Sequence, residues 1–186
     1  MLLTPEGRVR RIGFDVGGVI ADASQRYTDP NRWPDGSDHL NTHITTGIVE
    51  AIGTLVGDYE PENAFVISKC RPGVDVRTRQ IFRHINFYER TGISPDNVYF
   101  CQDREGKVPI ADELELTDIV DDRLEIGGLL LRGAGVENFC LFRPSDEEVT
   151  RYTSAYGSLD YHTAYTSEEM VSYFQGLPVG PAPATM

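Results

Sequence analysis

The stretch RIGFDVGGVIAD, residues 11–22, decides the fold. An apolar run rich in β-branched and aromatic residues reads as a buried strand over 11–16, and it presents the Asp15 carboxylate at a Gly17-Gly18 turn. Four further runs of the same kind stand at 64–68, 97–101, 117–121 and 137–142. Amphipathic patterns alternate with them: Ile48, Ile52 and Leu55 fall at i, i+4 and i+7, as do Ile81, Ile85 and Tyr88. Shorter helices fit 108–114 and 123–131, and Thr166 with Glu169 has capping-box spacing for a last helix. Strands without polar alternation, each followed by a helix, predict a doubly wound, Rossmann-like α/β fold. Its sheet would have five parallel strands with helices on both faces, because parallel pairing requires crossovers.

In such sheets ligands bind beyond the carboxyl ends of the strands. Asp15 ends the first strand, Ser68 the second, and Asp121 with Asp122 the fourth, while Lys107 follows the third at the start of a helix. Carboxylates from separate strands suit a hard cation such as Mg2+, which takes few protein oxygens and keeps water or phosphate oxygens as its other ligands. A hydroxyl and an ammonium on the same rim suit phosphate chemistry.

On these motifs the chain resembles the haloacid dehalogenase-like hydrolase superfamily. IGFDVGGVIAD matches its first motif except at the second aspartate, AFVIS its second at Ser68, Lys107 its third and TDIVDDR its fourth, in order over residues 11–143. The resemblance implies nucleophilic phosphoryl transfer through an aspartyl-phosphate on Asp15, with a small phosphorylated molecule as substrate. It implies Mg2+ held by Asp15, the Gly17 carbonyl and Asp122, with Asp121 either sharing that role or supporting it. Ser68 and Lys107 would contact the phosphoryl group, and the Gly17 and Gly18 amides would line it. Lys69 competes with Lys107 as the only other lysine.

Gly17 stands where phosphatases of the superfamily carry the aspartate that serves as general acid and base. Its absence removes help worth roughly 100- to 10,000-fold in rate. Two other readings therefore stay open. One is a non-catalytic protein that binds phosphate or a partner on this fold. The other is a 2-haloacid dehalogenase, which needs neither the second acid nor a metal; the paired Asp121 and Asp122 favour the phosphatase.

Family members often carry a cap inserted after the first or second motif. Here neither gap holds one, so residues 1–176 are expected to form a single domain without a full cap, followed by a disordered Pro/Gly-rich tail over 177–186. Capless relatives act on large substrates or borrow a lid by oligomerising, and a homo-oligomer is one of these two options for this chain. The unpatterned loop over 21–41 could also cover the site.

Composition narrows the partners. Seventeen basic against 29 acidic residues give a net charge of −12, which repels a polyanion and excludes nucleic acid. No apolar run approaches the roughly 20 residues that span a bilayer, and the N-terminus lacks a secretory signal pattern, so a soluble, cytoplasmic protein is expected. Cys70, Cys101 and Cys140 read as reduced core residues. Asp22 and Trp33 read as a surface carboxylate and a packed ring. His39, His43, His84 and His162 show no metal spacing, although His39 and His43 in the loop are candidates to touch substrate.

Overall fold

The apolar runs pair as parallel strands in a computed structural model that describes residues 1–22 and 39–181. Strands β1 (Ile12–Phe14), β2 (Ala64–Lys69), β3 (Val98–Cys101), β4 (Asp118–Asp121), β5 (Asn138–Phe142) and β6 (His162–Ala164) lie in the order β3-β2-β1-β4-β5-β6. Every pairing is parallel. The sheet has six strands, not the five expected. The sixth is the edge segment His162–Ala164, which pairs only with β5 and is too short and polar to announce itself by composition.

Burial of the strands on both faces follows the two-residue side-chain period. In β2, Ala64 and Val66 enter one core, whereas Phe65 and Ile67 enter the other. The first core is covered by α1 (Ile48–Tyr59), α2 (Val74–His84), α3 (Phe87–Thr91) and α7 (Ser167–Gln175). The second is covered by α4 (Lys107–Glu113), α5 (Leu124–Gly133) and α6 (Asp146–Tyr156).

Two helical details depart from the sequence pattern. The apolar spacing through Ile81, Ile85 and Tyr88 is split, because Asn86 adopts a left-handed backbone with φ 54°. Phe82 and Phe87 stack across the break at 4.2 Å. Helix α6, absent from the expected elements, fully buries only Glu148 and lays a half-buried stripe of Val149, Tyr152 and Tyr156 on the second core; its start is marked by the cap at Ser145, whose hydroxyl accepts from the Glu148 N–H at 3.2 Å. The capping box at the start of α7 is present as expected, with Thr166 and Glu169 bonding each other's backbone.

The amino ends of the central strands meet over a buried ion pair. Arg10 donates to Asp118 at 3.0 Å, and Asn138 and Thr117 donate to the same carboxylate at 2.7 and 2.6 Å. Arg10 also donates to the Pro178 carbonyl at 2.8 Å, and the Gly180 N–H donates to Leu3 O at 3.0 Å. The first residues after α7 are thereby held to the N-terminal segment. Trp33 and most of the loop over 21–41, like residues 182–186, lie outside the described residues. Among the described residues no helix is long and apolar enough to cross a membrane.

Candidate active site

Strand order reverses between β1 and β4, which opens a crevice at their carboxyl ends. Asp15 follows β1 directly, and its N–H donates to Val120 O on β4 at 3.0 Å. Asp121 closes β4 and Asp122 comes next. Lys107 is delivered by a turn in which Asp103 Oδ1 accepts from the Gly106 N–H at 2.7 Å, so that it becomes the first residue of α4. Neither Asp103 nor this turn was singled out in the sequence, although Asp followed three residues later by Gly is a turn signature.

Four of the expected residues converge. Lys107, only 3 % exposed, donates from Nζ to Asp15 Oδ1 at 2.8 Å and to Asp121 Oδ2 at 2.6 Å. Lys69 makes neither contact and is exposed beyond Ser68. Asp121 Oδ1 accepts the Arg123 N–H at 3.0 Å, so both oxygens of Asp121 are engaged. Asp122 differs: its Oδ1 is buried and has no hydrogen-bond partner among the described residues, the Arg123 Nε standing off at 3.9 Å. Arg123 is held there by Glu148 of α6 at 3.1 Å.

Three carboxylates thus face one ammonium. One oxygen from each of Asp15, Asp121 and Asp122 lies within 4.8 Å of the others. At an effective dielectric constant of about 20, two unit charges at that separation repel by about 3 kcal/mol. Burial, reinforced by Asp121 and Asp15, pushes the Asp122 carboxyl up to about 8. Burial raises Asp121 to about 6 against the pull of Lys107. Burial also opposes the charge on Lys107, but Asp121 and Asp15 outweigh it and hold the ammonium pKa above its ordinary value. The orphaned Asp122 oxygen, the excess of negative charge and the all-oxygen donor set fit a hard dication.

The glycine turn shapes this pocket. Gly18 has φ 95°, and a Cβ there would lie 2.2 Å from the Asp122 carboxylate. Its N–H donates to Ala21 O at 2.8 Å, while the Ala21 N–H returns to Val16 O at 2.7 Å. The Gly18 amide is therefore engaged within the turn, and the absence of a side chain at Gly18 leaves space for Asp122. The Gly17 amide has no acceptor among the described residues. Gly18→Ala is expected to destabilise the protein by at least about 1 kcal/mol through the left-handed backbone and, by displacing Asp122, to weaken divalent-cation binding. Urea unfolding together with a Mg2+ titration checks it; wild-type values for both would refute the packing argument.

Ser68 is buried on β2, beside β1 and two residues beyond the Phe14-Val66 register pair. Its hydroxyl has no hydrogen-bond partner among the described residues. Among the described residues no histidine belongs to the carboxylate group. His84 ends α2, His162 stacks on Tyr173 at 4.4 Å, and the His43 carbonyl accepts from the Asp22 N–H.

No protein-family model matches the chain, and no curated protein matches it. Among solved structures it is similar to a protein of Burkholderia xenovorans LB400 described as a haloacid dehalogenase-like hydrolase, with a TM-score of 0.59 and 13% identity. The match covers 88% of this chain and 96% of that one. The chain has the haloacid dehalogenase-like fold. In that fold the four motifs of the resemblance fall on β1, β2, α4 and β4, as their spacing requires.

Proposed function

We propose that this protein is a Mg2+-dependent phosphomonoester hydrolase that forms an aspartyl-phosphate on Asp15. The observation that carries this reading is the unbonded, buried Asp122 oxygen beside a nucleophile-ready carboxylate and its lysine. A 2-haloacid dehalogenase has no use for such a cation-demanding set.

Asp15 Oδ1 is occupied by Lys107, which leaves Oδ2 to attack phosphorus. The ester P–O bond breaks, the alcohol leaves, and water then cleaves the acyl phosphate to release orthophosphate and restore the carboxylate. Asp15, Asp122 and the Gly17 carbonyl would hold Mg2+, which would supply charge neutralisation for the phosphoryl oxygens. Lys107 steadies the nucleophile, and Asp121 and Asp15 keep it charged against the cost of its burial. Ser68 Oγ and the Gly17 N–H are the donors available to the transferring group. With glycine at position 17 no side chain there protonates the leaving oxygen, so esters of acidic alcohols should react faster than alkyl esters by a wide margin.

The test is orthophosphate release from a panel of aryl and alkyl phosphates in Mg2+ and in chelator, with halide release from 2-haloacids run in parallel. Mg2+-dependent phosphate release is expected. Mg2+ and phosphate binding without release would favour the non-catalytic reading that Gly17 motivates, and metal-free halide release the dehalogenase.

The cation has a readout apart from turnover. Asp122 and Asp121 have folded-state values raised above the ordinary carboxyl value near 4. A raised carboxyl stabilises the fold fully below its unfolded value, and that contribution is lost as pH rises through the folded value. The metal-free protein should therefore lose stability between about pH 4 and pH 8, and Mg2+ should raise its melting temperature more at pH 8 than at pH 5. Melting scans in chelator and in Mg2+ across that range check this. A Mg2+ effect that is larger at pH 5, or absent, contradicts it.

A further inference from the structure

Beyond the phosphate itself, the rim carries a cation that nothing in the proposed chemistry uses. In β5, Leu141 is in register with Asp121, so Arg143, two residues on, emerges at the same carboxyl rim as Asp121 and Asp122. Its backbone is left-handed, with φ 46°. Such a conformation is uncommon for a side chain other than Gly, Asn or Asp, and residues held in it cluster at ligand sites. The Arg143 N–H is pinned to Ala164 O on β6 at 2.8 Å, which anchors the point from which the side chain departs.

The guanidinium itself is under-used. Arg10, Arg11 and Arg79 each donate to backbone carbonyls, and Arg10 to a carboxylate as well. Among the described residues Arg143 donates no hydrogen bond; its one charged neighbour is Asp22 Oδ2, at 3.9 Å. Asp22 directly follows the turn that packs over Asp122, and its N–H is tied to His43 O at 2.9 Å. This long contact steers the guanidinium toward the catalytic turn without consuming its donors. In a protein of net charge −12, a cation with an anchored backbone and a planar fork of free donors at this place matches a carboxylate or phosphate oxygen pair.

We infer that Arg143 is a specificity-determining residue that holds a second anionic group of the substrate, making the substrate class small phosphomonoesters that also carry a carboxylate or another phosphate. The inference rests on the phosphomonoesterase reading, and its test separates the two. Full-length protein in Mg2+ is titrated calorimetrically with 2-carboxyethylphosphonate and with its neutral amide, 2-carbamoylethylphosphonate. Turnover of 3-phosphoglycerate is compared with that of glycerol 3-phosphate. The acid should bind about 10- to 100-fold more tightly than the amide, the scale of a charge-assisted bidentate contact. Arg143→Ala and Arg143→Gln should bring that ratio close to one, and Arg143→Lys should retain part of it, with melting temperatures reporting that each variant is folded. A ratio near one in the wild type, no binding of either phosphonate, or a ratio unchanged in folded variants overturns the inference. Phosphate release without preference for the carboxylate overturns it while leaving the hydrolase standing. An Arg143-dependent binding preference without any phosphate release upholds the anion site and overturns the hydrolase.

Discussion

Asp15→Asn is expected to abolish Mg2+-dependent orthophosphate release, by at least about 1,000-fold, the scale on which losing a nucleophile leaves only binding and electrostatics. The amide is isosteric, so the effect is chemical: its oxygen still accepts from Lys107, but no anionic oxygen remains to attack phosphorus. The fold should survive, because Asp121 continues to pair with Lys107 at 2.6 Å. The measurement is steady-state release at saturating Mg2+ with melting temperature as the control. Residual turnover within tenfold of wild type in a folded variant would end the aspartyl-phosphate mechanism.

The largest effect on stability should come from Lys107→Met. This substitution keeps the length and apolar stem of the side chain but leaves Asp15 and Asp121 as buried carboxylates without their cation. Breaking a buried ion pair from one side costs about 3–5 kcal/mol, which for a domain of this size corresponds to roughly 6–20 °C in melting temperature. The loss should shrink at pH 5, where burial already favours the protonated form of Asp121 and Asp122. It should also shrink in Mg2+. Urea unfolding at pH 8 and pH 5, with and without Mg2+, tests all three statements. A loss below about 1 kcal/mol at pH 8 would show that Lys107 does not balance these charges.

Much of the fold was legible because its signals are local. Five of six strands are short apolar runs, and such runs can be buried on both faces only in a sheet covered by helices. The sixth strand, His162–Ala164, is set by pairing with β5, a long-range contact that leaves no mark on three polar or small residues. Helix α6 escaped notice because its apolar members Val149, Tyr152 and Tyr156 stand among polar residues and stay half-buried, while its fully buried member is the charged Glu148, which reaches back to Arg123. The break at Asn86 is invisible to apolar spacing because the left-handed residue preserves the burial of Ile81 and Phe87 on either side.

Sequence alone determined the residue types available at the carboxyl rim, the alternation that places them on separate strands, and the glycine at position 17 that removes an acid. Tertiary structure decided everything that depends on distance. It set Lys107 rather than Lys69 between Asp15 and Asp121, engaged both oxygens of Asp121, left an oxygen of Asp122 without a hydrogen bond, and made Gly18 the gap beside which Asp122 sits. It also brought Arg143, 128 positions after Asp15 in the chain, to the same rim. The physical reason is range: apolar periodicity is read over one or two turns or strands, whereas the charge balance of a buried site depends on separations of a few ångströms between groups that chain order keeps far apart.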